Sequence, residues 1–284
     1  MAVIQINGKE LSEKIKELIK KETEDLKTKI DKVPGIAVIL AGDDPASSIY
    51  VGSKEKMALN IGFHSVVEKI PSNVTTDEIL NLVDKFNNDN NIHGILVQLP
   101  LPSQVDEKKV LRAIKPEKDV DGFHPYNVGL LNIGEDCLMP CTPLGVMTML
   151  KEYNIDCTGK NAVVVGRSNI VGKPISAMLT KANATVTICH SKTKDIEKIC
   201  SNADILVAAI GQPKYITKEY IKKGAVVIDV GINRVDGKLC GDVDFDDVKD
   251  LCSYITPVPG GVGPMTIITL MNNTLKAFKI SQGL

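Results

Sequence analysis

AVVVGRSNIVGKP, Ala162 to Pro174, is the stretch that decides the fold. Residues 162–165 form a short apolar run, the pattern of a strand buried on both faces. Gly166, Arg167 and Ser168 follow as a turn. Gly172 opens the next helical segment, with Pro174 tolerated in its first turn. A strand-to-helix turn of this kind presents free backbone N–H groups at the positive end of a helix dipole, which suits a pyrophosphate. The usual dinucleotide fingerprint has glycines at its first, third and sixth positions. Here the glycine after Gly166 is Gly172, so a nucleotide site rests on the surrounding βαβ pattern, with a plain structural turn as the alternative.

Downstream, Lys173 to Lys181 reads as a helix and Ala184 to Cys189 as the next strand. An NAD-specific site carries a carboxylate at the end of this second strand. This one ends in His190, Ser191 and Lys192, with no carboxylate before Asp195. Ser191, Lys192 and Arg167 suit a 2′-phosphate, whereas a carboxylate would repel it. Arg112, Arg167 and Arg234 are the only arginines, and one of them stands inside the turn. The expectation is NADP over NAD, against the plainer reading of solvated surface charge.

The flanking chain extends the alternation. Helical periods cover Lys9 to Lys27, Ala46 to Ile61, Thr75 to Asn87, Val105 to Ile114, Thr142 to Tyr153 and Pro264 to Lys279. Thr75, with Glu78 three residues on, has the form of a capping box. Strand patterns cover Gly35 to Leu40, His64 to Ile70, Gly94 to Leu99, Ile205 to Ala209 and Ala225 to Val230. Alternation of this kind predicts an α/β fold of parallel sheets with helices on both faces. The segment Lys115 to Pro143, rich in Pro, Gly, Asp and Asn, reads as a crossing between two α/β units.

Composition narrows the function classes. A net charge of −1 offers no electrostatic footprint for nucleic acid or an anionic membrane. The longest apolar runs are strand-length, too short to span a bilayer. No basic segment followed by an apolar core opens the chain, so no signal peptide is expected. Seven cysteines without a C-x-x-C pair suggest a reducing cytoplasm, and four scattered histidines suggest no metal site.

Three further segments carry candidate chemistry. Tyr50 and Lys54 stand four apart on a predicted helix, so they share one face. A Tyr-x-x-x-Lys pair also occurs in short-chain dehydrogenases, but there it follows the nucleotide fold, whereas here it precedes Gly166. Gln98 ends the apolar run GILVQLPLP, a position that suits the ligand crevice at the carboxyl ends of parallel strands. Asp119 and Asp121 precede Gly122 and would either cap a turn or meet a ligand. TPVPGGVGPMT, Thr256 to Thr266, combines prolines that restrict a loop with glycines that allow close approach of a flat ligand.

YVGSKEK, GILVQLPLP, KDVDGFHPYNVG, PCTPLG, VVVGRSNIVGKP, VIDVGIN and PVPGGVGPMT occur in this order between about Asp44 and Thr269. Together they resemble the bifunctional methylenetetrahydrofolate dehydrogenase/methenyltetrahydrofolate cyclohydrolase family. The resemblance implies two α/β units flanking a cleft. Residues 1–139 would form a folate-binding catalytic domain, completed by the C-terminal helix at about 265–284. Residues 140–264 would form a Rossmann-like NADP-binding domain. It implies oxidation of 5,10-methylenetetrahydrofolate with NADP, then hydrolysis to 10-formyltetrahydrofolate in the same cleft. Lys54 would shuttle protons, Tyr50 would orient it and stack near the folate, and Gln98 would hydrogen-bond it. Asp121 would bind the pterin edge, and Pro259, Gly260 and Gly261 would line the folate side. Gly166, Arg167, Ser168, Ser191 and Ile232 would hold the cofactor. A cytoplasmic homodimer joined through the nucleotide domain is also implied. The remaining readings are a monofunctional dehydrogenase and a non-catalytic NADP sensor.

Overall fold

Mostly apolar strands of four to seven residues, interleaved with helices, build two α/β units in the computed structural model, which describes residues 3–284. One unit comprises Met1–Glu13 and Thr142–Thr266, the other Lys14–Cys141 and Ile267–Leu284. They are called below the glycine-turn unit and the Lys54 unit. The first residues therefore belong with the nucleotide pattern, not with residues 14–139 as the domain division expected. Their short strand β1 (Ile4–Gln5) pairs in parallel with β11 (Tyr254–Ile255).

The Lys54 unit includes most of α1 (Gly8–Ile30), then β2 (Gly35–Ala41), α2 (Pro45–Asn60), β3 (His64–Ile70), α3 (Thr76–Asn87), β4 (Gly94–Val97), α4 (Glu107–Ala113) and α5 (Pro125–Ile133), and most of α10 (Val262–Ser281). Its three strands are parallel in the order β3-β2-β4, and every residue of the central β2 is buried. Ile39, Ile79, Val83, Phe86, Ile95 and Val110 make the centre of its core. The capping box at α3 forms as expected, with Glu78 N donating to Thr75 Oγ1 at 3.3 Å and Thr75 N donating to Glu78 Oε2 at 2.7 Å.

The glycine-turn unit continues with α6 (Cys141–Glu152), β5 (Asn161–Val165), α7 (Gly172–Lys181), β6 (Thr185–Cys189), α8 (Ile196–Cys200), β7 (Ile205–Ala208), β8 (Val226–Asp229), β9 (Asn233–Val235), β10 (Lys238–Cys240) and α9 (Phe245–Val248). Six strands form one parallel sheet in the order β1-β11-β8-β7-β5-β6. β7 and β8 are buried throughout, as both-face coverage by helices requires. The chain goes from β5 outward to β6, then crosses back to β7 on the other side of β5. That reversal puts a topological switch point between β5 and β7, the crevice where open α/β sheets take their ligands.

Two local expectations need correction. The segment Lys115 to Pro143 contains the helix α5, with His124 as its N-cap, Pro125 at its first position and Gly134 as a left-handed C-cap. The expected strand Gly94 to Leu99 ends at Val97, and a cis Leu99–Pro100 peptide follows. An unanticipated antiparallel ribbon, β9–β10, turns at Asp236 and Gly237, both with positive φ.

Candidate active and cofactor sites

Lys54 owes its position to the face it shares on α2. Asp44 caps that helix, accepting from Ser47 N at 2.7 Å, and Pro45 starts it. Ser47, Val51, Lys54 and Ala58 then form the buried stripe at spacings of four, three and four. A lysine on such a stripe is unusual, because burying an ammonium is costly unless it is partnered. Lys54 is only 9% exposed, and its Nζ donates to Gln98 Oε1 at 2.9 Å. Gln98 is itself held: its Nε2 donates to Leu99 O at 2.7 Å and its backbone N donates to Ile39 O. The amide therefore presents its oxygen, not its nitrogen, to the lysine. Tyr50 lies half-buried one turn earlier.

Asp121 lies within the field of Lys54. Burial raises its carboxyl above the usual range, and the lysine charge works against that rise. The neighbouring Asp119 has a different job. It accepts from Phe123 N at 3.2 Å, His124 N at 2.8 Å and Asn127 Nδ2 at 2.9 Å, so it ties the loop that leads into α5. Two residues to which the sequence reading gave no role support the same corner. Cys141 Sγ donates to Val120 O at 3.2 Å, and its thiol is raised well above its ordinary value by burial and then by Asp121. Asn273 Nδ2, on α10, donates to Val120 O and Met139 O, both at 2.8 Å.

In the glycine-turn unit, Gly166 has φ +133°, and a Cβ there would run into Ala209 O at the start of the loop after β7. A Cβ at Gly172 would run into Gly166 O. The irregular glycine spacing thus has a packing reason: the two glycines let the turn fold onto itself and onto β7. Ser168 Oγ accepts from Val171 N at 3.1 Å and Gly172 N at 3.3 Å, capping the start of α7. Arg167 and Ser168 are exposed, as is Ser191 in the turn after β6. Because Val165 pairs with Cys189, and Gly166 N donates to Cys189 O, those two turns begin side by side. Ile232, 45% exposed, follows β8. These residues sit on loops that leave the carboxyl ends of four adjacent strands, β8, β7, β5 and β6. A cradle that excludes a Cβ at Gly166, with a cation at Arg167, fits a dinucleotide phosphate group.

Pro259, Gly260 and Gly261 also belong to the glycine-turn unit. Part of their reason is internal. A Cβ on Gly8 would run into Gly261 O, and Lys9 N donates to Gly260 O at 2.9 Å, so the pair lets α1 begin against this loop. Val258–Pro259 is cis, and Gly260 takes φ +105° with open space where a Cβ would be. Among the described residues no group of His, Cys, Asp or Glu could hold a metal ion, and no helix is long and apolar enough to cross a membrane.

Fold and site together define an α/β dinucleotide-binding enzyme with a buried, amide-bound lysine in a second α/β unit. The comparisons with known proteins make this specific. The chain belongs to the tetrahydrofolate dehydrogenase/cyclohydrolase family: the model of its catalytic domain matches residues 6–121 and that of its NAD(P)-binding domain residues 140–282. It is 53% identical over 279 residues to a protein of Halalkalibacterium halodurans named Bifunctional protein FolD, covering 98% of this chain and 100% of that one. The crystal structure of the FolD methylenetetrahydrofolate dehydrogenase/cyclohydrolase of Campylobacter jejuni superposes with a TM-score of 0.97 at 50% identity, covering 98% and 99% of the two chains. That of Trypanosoma brucei methylenetetrahydrofolate dehydrogenase-cyclohydrolase, complexed with NADP and an inhibitor, gives 0.96 at 39% identity, covering both chains fully.

Proposed function

We propose that this chain oxidises 5,10-methylenetetrahydrofolate to 5,10-methenyltetrahydrofolate with NADP and hydrolyses that product to 10-formyltetrahydrofolate. One observation carries the reading: a chain of full family length holds both a dinucleotide cradle and a buried lysine fixed by an amide. A cofactor sensor would gain nothing from the Lys54–Gln98 pair, whose burial costs stability.

NADP supplies the acceptor for the hydride that leaves the folate methylene carbon. The chain's own part begins with binding. Gly166, Arg167, Ser168, Ser191 and Ile232 hold the cofactor, with Arg167 supplying positive charge for the 2′-phosphate. Asp121 binds the N–H edge of the pterin, Tyr50 stacks near it, and Pro259, Gly260 and Gly261 line the folate side. In the second reaction water adds to the methenyl carbon, and Lys54 Nζ takes the proton released. That leaves a carbinol; as its carbon–N5 bond breaks, Lys54 gives the proton to N5 and the carbinol hydroxyl loses its own proton to solvent, leaving the formyl group on N10 and one proton released overall. Gln98 Oε1 keeps Nζ on station through both transfers.

Purified protein given methylenetetrahydrofolate should reduce NADP, and reduce it faster than NAD. No reduction of either cofactor removes the dehydrogenase. Lys54→Met keeps the length and apolar stem but has no proton to carry, so methenyltetrahydrofolate hydrolysis should fall by at least about a hundredfold. Retained hydrolysis removes Lys54 from its role.

The chain forms a cytoplasmic homodimer through the glycine-turn unit. The β9–β10 ribbon supports the dimer, since Val235 and Leu239 are 44% and 41% exposed apolar side chains on a two-stranded element. Light scattering should give twice the chain mass of 30.7 kDa, and a monomer mass overturns the assignment.

A further inference from the structure

We propose that the buried carboxylates of Asp229 and Asp242 are positioning residues that shape the two loops receiving the dinucleotide, and so set the affinity for NADP. The proposal rests on the cofactor reading above.

Both residues are almost wholly buried, at 3% and 0% exposure, and among the described residues no lysine, arginine or histidine forms an ion pair with either of them. Their partners are N–H groups. Asp242 Oδ2 accepts from Ile210 N at 2.7 Å and Gly211 N at 2.9 Å. Its Oδ1 accepts from Gln212 N and Asn233 Nδ2, both at 2.9 Å. Asp229 Oδ1 accepts from Gly231 N and Asp242 N, and Oδ2 from Val243 N, each at 2.9 Å. One carboxyl group thus gathers three successive amides of the loop after β7 and reaches across to Asn233, the first residue of β9, where the loop after β8 ends. The other fixes Gly231 in that second loop and holds the segment that carries the first carboxylate.

These loops stand where the cofactor site requires definition. They leave neighbouring strands, since Ala208 pairs with Asp229. Ala209, one residue before the gathered amides, is the residue against which Gly166 packs. Ile232, assigned to the cofactor, lies between Gly231 and Asn233, each bonded to one of the carboxylates. Side-chain size is cleared for the arrangement: a Cβ on Gly231 would strike the Asp242 carboxylate, and a Cβ on Gly241 the Asp229 carboxylate. An Ω-type or hairpin turn closed by backbone bonds would have needed no buried charge. Two buried carboxyl groups accepting seven hydrogen bonds impose one loop geometry, because any other would strand buried N–H donors and carboxyl oxygens without partners.

Asp242→Asn tests the idea, because it puts an amide NH₂ where one oxygen now faces two N–H donors. Calorimetric titration should show the NADP Kd rising at least about tenfold, as expected for lost hydrogen bonds to a buried charge. The KM for NADP should rise in parallel. The KM for methylenetetrahydrofolate, kcat at saturating NADP and cofactor-free hydrolysis of methenyltetrahydrofolate should stay within about twofold. A lower melting temperature with an unchanged NADP Kd would show a merely structural pair and overturn the proposal. Asn233→Ala removes one donor and leaves both carboxylates, so it serves if Asp242→Asn does not fold. It should weaken NADP at least about threefold with the folate KM unchanged, and an unchanged NADP Kd overturns the proposal. Wild-type protein that binds no NADP overturns the cofactor reading itself, a result distinct from any difference between variants.

Discussion

Gly166 admits no side chain. Its φ of +133° lies where side chains are strained, and the space of a Cβ is filled by Ala209 O. Gly166→Ala should therefore cost about 1–3 kcal/mol in backbone strain, before any displacement of β7. For a chain of this size each kcal/mol lowers the melting temperature by about 2–4 °C. The turn must also shift, so the NADP Kd should rise. Gly129 in α5 is the contrast: it has no unusual φ and nothing within reach of a new Cβ. Gly129→Ala should leave NADP binding alone and raise stability by about 0.5–1 kcal/mol, the ordinary helix gain. Equal melting curves for wild type and Gly166→Ala would show that the turn accommodates a side chain.

Elements differ in how openly the sequence announces them. β2, β5, β7 and β8 are unbroken apolar runs, and α3 carries its cap in Thr75 and Glu78, so all five are readable from local pattern. α5 escapes, although His124-Pro125 and Gly134 bound it, because its nine residues include Asn127, Gly129 and Asn132, which read as loop. β1 and β11 have two residues each and exist only through pairing with each other and with β8. The β9–β10 ribbon had its signal in Asp236-Gly237, the dipeptide that turns a two-residue hairpin. At the sites, Gln98 is readable as a polar residue ending an apolar strand. Asp229 ends β8 in the same way and went unread, because its partners are backbone amides distant in sequence. Asp242 stands in a loop with no periodic context. Cys141 and Asn273 meet Val120 only once the chain has folded. What pattern cannot supply is the partner of a polar group, since that depends on which loops the sheet order brings together.

At the scale of the whole molecule, one buried group in each unit, His93 and Asp229, responds to acid in the opposite sense to the other. In the Lys54 unit, His93 is buried and accepts from Gly35 N at Nδ1, with its ring edge-on to Phe278. Burial, then the charge of Lys118, lowers its pKa from 6.5 to about 4. An unfolded chain takes up a proton at this histidine below pH 6.5, and the folded one does so only near 4, so stability falls as pH drops through that range. In the glycine-turn unit, burial raises Asp229 from 3.8 to about 7, against its backbone donors and with help from Asp242. The unfolded chain releases that proton above pH 3.8 and the folded one holds it until about 7, so stability falls as pH climbs. Between pH 4.5 and 6.5 the two sites contribute slopes of opposite sign, each at most about 1.4 kcal/mol per pH unit. Denaturant unfolding of His93→Asn, which keeps an acceptor for Gly35 N, should expose the downward slope of Asp229 with rising pH. Asp229→Asn should expose the upward slope of His93. If a single transition unfolds both units, the contributions of these two sites largely offset each other in the wild type. If the units unfold separately, the wild type shows two transitions whose midpoints move apart or together as pH changes, each following its own site. A wild-type profile unchanged by both substitutions would mean that neither group titrates with the fold.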